Sequence, residues 1–566
     1  MIGFLSFDYT TTSRSSSFSF DNHHDVDSPK GKVVKQIKQF GVEVNWVKGK
    51  HYEINDLEPY RLVGDVELDQ ILELNSLWRQ KKNDDKNENV TLRVNEDEDD
   101  EVSGNFSNTI EACAKIYQKY KHKHNSLNGS NEINNRLNVH LNKMVPPSSA
   151  STCTMQPHEN AMFAFYQKYH DFLPSWVDFE QIKRGVDVFI TFAPVAGQSL
   201  YYLSLVPGFS IPKIAKVLEQ TRYLVPPSTS EQVLDRLMDT GGFVSNIMLH
   251  DENGLIANSL RPGGKAWTMA LQVRTLHAKV RRSILRNKRI QWDIQEFGIP
   301  INQEDMVATL LAFSVNVLSG IEFVAGVPIS IQEQKDYLAL WRYIGWLLGI
   351  ETEQENNHTR TIQSSKKGIR ENELMSLNPC AKGENGDDVI IHSHALLESI
   401  ILHLMHPNES SKRAARHLLS IGRVGGNDTL SSDHHDQHIK KKVNQSNNTI
   451  AVLYRSIMCR RFIGDELADA LDIPRRTNFS IKANFAFLLT TIVLMVLRVY
   501  TLLTIKSCWF RKRVYKKHLH MIRNFDKVWS FRHMERMDKA AKKNQKSCPF
   551  ALIKPPTHED VHYKND

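Results

Sequence analysis

The sequence predicts a mainly α-helical protein. It reads as a single large multi-helix domain with disordered insertions, followed by a C-terminal hydrophobic membrane helix. Three observations carry this reading. Apolar residues recur at helical spacing between 156 and 475, with capping residues where the pattern begins. Runs rich in Asp, Asn, Glu and Lys interrupt the pattern and have no apolar period of their own. Residues 483–505 are almost wholly apolar and carry one charge, Arg498.

Composition sets the outer bounds. At 566 residues and 41% hydrophobic content the chain can bury a large core. Its six cysteines are scattered and form no CxxC pair, which argues against a cysteine zinc site or a disulfide framework. The net charge is +8, but residues 506–546 alone hold 14 Lys/Arg against three acids. A basic tail directly after an apolar segment suits a membrane surface. Nucleic-acid binding calls instead for a basic folded face with aromatic readers, so no nucleic-acid partner is expected. No P-loop, dinucleotide fingerprint or GxSxG elbow occurs.

In chain order, residues 1–31 form a Ser/Thr-rich disordered N-terminus, whose patch Ile2–Leu5 lacks the basic flank and length of a secretory signal. Residues 32–155 form an N-terminal region with an extended Val42–Trp46, a helix around Leu68–Trp78, and polar insertions at Lys81–Asn108 and Lys119–Pro147. Residues 156–475 form the helical domain, with insertions at about 352–388 and 427–448. Within it, Val186–Pro207 reads as a core helix broken near Ala193-Pro194. Helices are expected at Pro212–Thr221 and at Glu231–Asp239, the second stopped by Gly241-Gly242. Asn302 caps a buried apolar helix from Met306 to Val324, and Ser330 caps the helix that follows. Residues 483–505 are long enough, at about 1.5 Å per residue, for a bilayer core of about 30 Å, so they read as a transmembrane or membrane-inserted helix. Residues 506–566 are the basic tail. Nine Asn-X-Ser/Thr sequons, among them Asn89, Asn128 and Asn408, are compatible with a lumenal body, although asparagine-rich insertions generate such triplets by chance.

The candidate site lies on the amphipathic helix Ala270–Arg282, which follows the turn Arg261-Pro-Gly-Gly264. At about 100° per residue, His277 sits mid-face between Val273 and Val280 on one side and Arg274 and Arg281 on the other. An imidazole in that position can ligate a metal while guanidinium groups hold an acid-bearing cofactor. The same pattern also suits a satisfied core histidine with ion-paired arginines. Trp267 and Trp341 read as packing residues. His403 and His406 with Glu398 lack the spacing of a metal motif.

Five phrases occur in a telling order: Leu173-Pro-Ser-Trp-Val-Asp178, Arg261-Pro-Gly-Gly-Lys-Ala-Trp267, Val273-Arg-Thr-Leu-His-Ala-Lys-Val-Arg281, Pro300-Ile-Asn-Gln-Glu-Asp305 and Leu340-Trp-Arg-Tyr-Ile-Gly-Trp-Leu-Leu-Gly-Ile350. Together they resemble the rubber oxygenase (latex-clearing protein) family and its relatives such as the ER-bound oxygenase MpaB. The likeness runs over roughly Pro157–Leu419, with a weaker echo at Arg461–Leu467. The resemblance implies a helical fold holding one haem b, whose iron serves oxidative cleavage of a carbon–carbon double bond in an isoprenoid or other lipophilic substrate. It further implies a protein of the endoplasmic reticulum membrane. Arg274 and His277 match the family's arginine and distal ligand, a lysine there, and Arg274 and Arg281 are placed to pair with haem propionates. The family's proximal histidine falls near Val307–Leu311, where this chain has none. Three readings follow: His277 is itself the axial ligand, a histidine from His392–His417 supplies one, or haem is not bound. The family's glutamate base has no clear match, Asp251 and Glu252 being the nearest upstream acids. The alternative function is a haem-less, non-catalytic lipid-binding or membrane scaffold protein of the same fold.

Overall fold

The computed structural model describes residues 14–15, 33–48, 50–87, 108–125, 155–221, 224, 228–249, 259–287, 290–350, 389–420, 450–475 and 480–543. The insertions at 352–388 and 427–448, Asp251, Glu252, Asn89 and Asn128 lie outside them. Helix dominates. Its longer members are α1 (Val66–Asn87), α2 (Asn108–Asn125), α3 (Pro157–Asp171), α4 (Phe179–Thr191), α5 (Pro212–Gln220), α6 (Ser230–Met248), α7 (Lys265–Arg286) and α8 (Gln303–Phe313). They continue with α9 (Val315–Ala325), α10 (Ile331–Leu347), α11 (Val389–Leu404), α12 (Glu409–Ser420), α13 (Ile450–Ile463), α14 (Ile481–Lys506) and α15 (Cys508–Lys543). The chain divides into two compact units.

The first unit takes Met1–Gly64, Asp178–Ser259 and Ile284–Arg532. At its N-terminal end, β2 (Val33–Gln39) and β3 (Val42–Val47) pair as an antiparallel hairpin, and β1 (Arg14–Ser15) adds in parallel on the other side of β3. Alternation puts Val44 and Trp46 on the buried face against Leu402 of α11. Hydrogen bonds from His51 to Glu398 (2.7 Å) and from the Tyr52 amide to Ser399 (3.0 Å) fasten the hairpin there. The α4–α10 contact is close because Gly185 presents no side chain to the Asp336 carbonyl.

Capping follows the sequence at α8 and α10. Asn302 accepts from the Asp305 amide and Ser330 from the Glu333 amide, each completing a capping box. The break expected near Ala193-Pro194 is present, and two other expectations change. The chain turns by 80° after α4, at the Ala193-Pro194 site, and passes through a π-helical stretch, Ser199–Leu205. The expected helix Met306–Val324 breaks at Ser314, because Ser204 and Tyr337 hydroxyls take the carbonyls of Ala312 (2.6 Å) and Phe313 (2.9 Å). Gly241-Gly242 does not stop α6: the helix runs through both glycines, which leave space for the Phe525 and Trp529 rings of α15.

Among the described residues, two stretches are long and apolar enough to cross a membrane: Gln303–Ala325, taken across its break, and α14. Within the basic tail, Cys508–Lys543 form the helix α15, which as far as Arg532 belongs to the first unit. Tyr515 donates to Asp187 (2.6 Å), and Trp529 to Asp239 (3.2 Å).

The second unit takes Asp65–Val177, Leu260–Ser283 and His533–Asp566. It packs α3 against α1 and α2, and includes α7 as far as Ser283. Tyr117, Phe163, Tyr166 and Tyr169 fill it, with Trp267 wholly buried edge-on to Tyr166. The run from Lys119 to Asn125, expected to be a polar insertion, belongs to α2.

Candidate active site

All three sequence-nominated residues, Arg274, His277 and Arg281, lie on α7 within the second unit. Their surroundings come from α1. Asp65 caps α1 by accepting from the Leu68 amide (3.2 Å), and an acidic stripe Asp65, Asp69, Glu73 then repeats at one-turn intervals. Arg274 meets the head of that stripe. Its Nε donates to Asp65 Oδ2 (2.5 Å), and its Nη2 donates to Asp65 Oδ1 (2.9 Å) and to Glu67 Oε2 (2.8 Å). Arg281 donates to Asp69 (2.7 Å), and Arg282 to Glu73 and Ser76 (both 2.6 Å).

Arg274 is only 3% exposed, and its guanidinium lies 4.9 Å from the Tyr169 ring centre and 5.2 Å from that of Phe165. Burial opposes its charge, but Asp65 and Glu67 more than offset this, so it is a permanent cation. Glu67 is pushed up by burial, yet Lys168 and Arg274 bring it down to about 2. Burial also raises Asp69, against the pull of Arg281.

His277 is the opposite case. The ring is partly buried, with Nδ1 shut off from solvent. Burial first, then repulsion from Arg281, lowers its pKa to about 4, so it is a neutral imidazole at physiological pH. Among the described residues its Nδ1 has no hydrogen-bond partner, and neither have Nη1 of Arg274 and Nε1 of Trp267. These three side chains fall within about 80° on one face of α7. A buried polar atom left unpaired costs about 1–3 kcal/mol. Three on one helical face make that face the candidate site.

Chemically, the face offers one neutral nitrogen donor able to ligate a metal, one guanidinium edge able to hold an anion, and aromatic walls. Arg281 is different: Asp69 occupies it, which weakens its expected role toward a cofactor acid. Sequence reasoning missed Asp65, Glu67, Asp69, Phe165 and Tyr169. The one-turn spacing of Asp65, Asp69 and Glu73 was the available signal.

The alternative ligand regions are engaged only in part: Nε2 of His417, like Nδ1 of His277, has no hydrogen-bond partner among the described residues. Val307–Leu311 is the buried apolar body of α8. In the first unit, His403 donates to the Tyr52 carbonyl (2.9 Å), His406 contacts the His403 carbonyl (3.1 Å), and His392 packs edge-on to Tyr52. Among the described residues no three His, Cys, Asp or Glu side chains converge to hold a metal ion.

Comparison with known proteins gives two findings. Residues 193–364 match the family profile described as "ER-bound oxygenase mpaB/B'/Rubber oxygenase, catalytic domain". Among solved structures, Latex Clearing Protein LCP in the closed state is similar at 14% identity and a TM-score of 0.40, over 68% of this chain and 85% of that one. No curated protein matches.

Proposed function

From the match of residues 193–364 to the ER-bound oxygenase mpaB/rubber oxygenase family profile, we propose that this protein is a membrane-associated, haem b-dependent oxygenase. Its reaction is oxidative cleavage of a carbon–carbon double bond in an isoprenoid or other lipophilic, prenylated substrate, at the endoplasmic reticulum membrane. The observation that carries the reading is the pair of unpartnered atoms, His277 Nδ1 and Arg274 Nη1, one helical turn apart on a family-matched helix.

Those atoms fit the cofactor. His277 would hold the iron through its unpaired nitrogen, which needs no deprotonation at neutral pH. Arg274 would hold a propionate through Nη1, because Asp65 and Glu67 use its other edge. Haem b, when bound, supplies the activation of dioxygen for attack on the double bond. The protein's own part is placement and exclusion. Asp65 fixes the guanidinium, burial and then Arg281 hold the imidazole neutral, and Phe165 and Tyr169 flank the guanidinium. Arg281 acts here as a positioning residue.

The test is the absorption spectrum of purified full-length protein. A Soret band is expected, with a pyridine haemochromogen of b type, lost in His277→Ala and retained in His403→Ala. Circular dichroism shows whether each variant is folded. Colourless wild-type protein after expression with haem supply overturns the reading. It would leave the second one, a haem-less lipid-binding or scaffold protein, which is favoured by the carboxylates that already engage Arg274 and Arg281.

A further inference from the structure

The apolar helix α14 presents two unlike faces. One is set against its own unit: Ala483 and Ala486 pack on Leu453 and Ile457 of α13, and Thr490, Leu494, Thr501 and Thr504 continue that buried line. The residues are small or hydroxylated, and the threonine hydroxyls return to backbone carbonyls of α14 itself (2.6–2.8 Å). The other face is exposed and aliphatic. Phe485, Leu488, Ile492, Val496, Val499 and Leu503 recur every three or four residues, Leu488 at 56% and Val496 at 61% exposure. No soluble surface is expected to leave such a stripe to water.

Both arginines near α14 face the protein. Arg498, its one internal charge, sets its guanidinium directly on Gly326, the left-handed cap at the carbonyl end of α9. Arg461 of α13 donates to Thr491 (2.6 Å) and lies 4.6 Å from the Phe487 ring centre. Thr491 is ten residues into α14, about 15 Å along it. A helix standing upright in a bilayer core of about 30 Å would carry the Arg461 guanidinium at mid-depth, the costliest place for a charge.

The chain also turns back after α14. Ser507 leaves the helix and caps α15, and Tyr500 hydrogen-bonds His518 across the bend (2.8 Å). Further along α15, Arg511 pairs with Glu333, Asp526 accepts from Asn246 (2.7 Å) and His518 contacts the Ile190 carbonyl (2.9 Å), all within the first unit. The basic segment therefore returns to the body. Its exposed side carries Lys512, Arg513, Lys516, Lys517, Arg523 and Lys527, with Trp509, 70% exposed, at the end nearest α14.

We propose that α14 lies along the membrane plane without crossing it. Its aliphatic stripe is immersed in a single leaflet, while the Lys/Arg side of α15 takes anionic lipid headgroups and Trp509 sits at the interface. The occupant is thus an anionic bilayer surface, argued from the junction of an aliphatic stripe with a basic, tryptophan-tipped helix. This rests on the membrane association proposed above and is independent of haem.

The test is flotation of full-length protein with phosphatidylcholine vesicles, with and without phosphatidylserine. Wild type is expected to co-float, at least tenfold more tightly when the anionic lipid is present and less so in high salt. The triple variant Leu488→Glu/Ile492→Glu/Val496→Glu should lose flotation while keeping its circular dichroism and thermal transition. Because those positions are already exposed, folding should survive. Lys512→Glu/Arg513→Glu/Lys516→Glu should lose the phosphatidylserine preference alone. Wild type that floats with no vesicle overturns both this inference and the membrane association. Membrane association stands and the in-plane arrangement falls if a protease outside sealed vesicles reaches the body while the C-terminal tail is protected inside. A dimer in mass photometry that the triple variant splits, with no vesicle binding, assigns the stripe to a second copy and also overturns the proposal.

Discussion

Two buried ion clusters, one in each unit, show what separates scaffolding from a site. In the first unit Lys213 reaches from α5 to Glu304 and Asp305 in the first turn of α8, so each buried charge meets an opposite one. The lysine faces two acids and fastens two helices. In the second unit Arg274 also meets two acids, yet one edge of its guanidinium and the nearby His277 Nδ1 are left without partners. A cluster of matched charges stabilises; one that also leaves a guanidinium edge and an imidazole nitrogen unpaired on one helix face is the better candidate to take a further group.

Substitutions can break that contrast. The largest effect is expected for Asp65→Ala, which leaves the buried Arg274 with Glu67 as its one carboxylate partner and removes the α1 cap. Urea unfolding should show a loss of about 3–5 kcal/mol, with about 1 kcal/mol more from the cap. Lys213→Met should lose a similar about 3–5 kcal/mol by leaving two buried carboxylates facing each other. Adding Glu304→Gln to it should restore part of the loss, whereas Glu67→Gln should not rescue Asp65→Ala. Equal rescue in both clusters would erase the distinction.

A smaller effect is expected from pH. The folded pKa of His277, about 4, lies below the ordinary histidine value near 6.5, so the unfolded chain binds the proton more readily between them. Stability from the neutral ring is therefore complete above about pH 6.5 and falls as pH drops toward 4, by about 1–3 kcal/mol. In haem-free protein, His277→Gln should flatten that slope while leaving stability at pH 8 nearly unchanged. An unaltered slope would assign the titration elsewhere. The smallest effect belongs to Arg282→Gln, whose partner Glu73 is half exposed: about 0.5 kcal/mol, in line with partly solvated pairs.

Much of this architecture could be read from residues. Asn302 and Ser330 announced their helices because caps are local chemistry, and α7 showed its His277 face through spacing alone. What failed to show was tertiary. Gly241-Gly242 looked like a helix stop because the Trp529 ring that needs the space is nearly 290 residues away. The Ser314 break depends on hydroxyls of Ser204 and Tyr337 that belong to other helices. The tail concealed a docking helix because its buried residues, Val514, His518, Ile522 and Trp529, are outnumbered by lysines and arginines. At the site, the acids that position Arg274 lay in a segment with no local reason to be paired with α7.

That separation has a consequence for how the molecule is made. Asp65 and Arg274 are 209 residues apart, and a ribosome adding about 5–20 residues per second needs roughly 10–40 s to bridge them. Throughout that interval the nascent α1 carries its row of carboxylates with no cation from α7 to meet it. The second unit therefore closes only after most of the α4–α6 segment of the first has already emerged. Pairing of Asp65 with Arg274 is timed by their separation along the messenger.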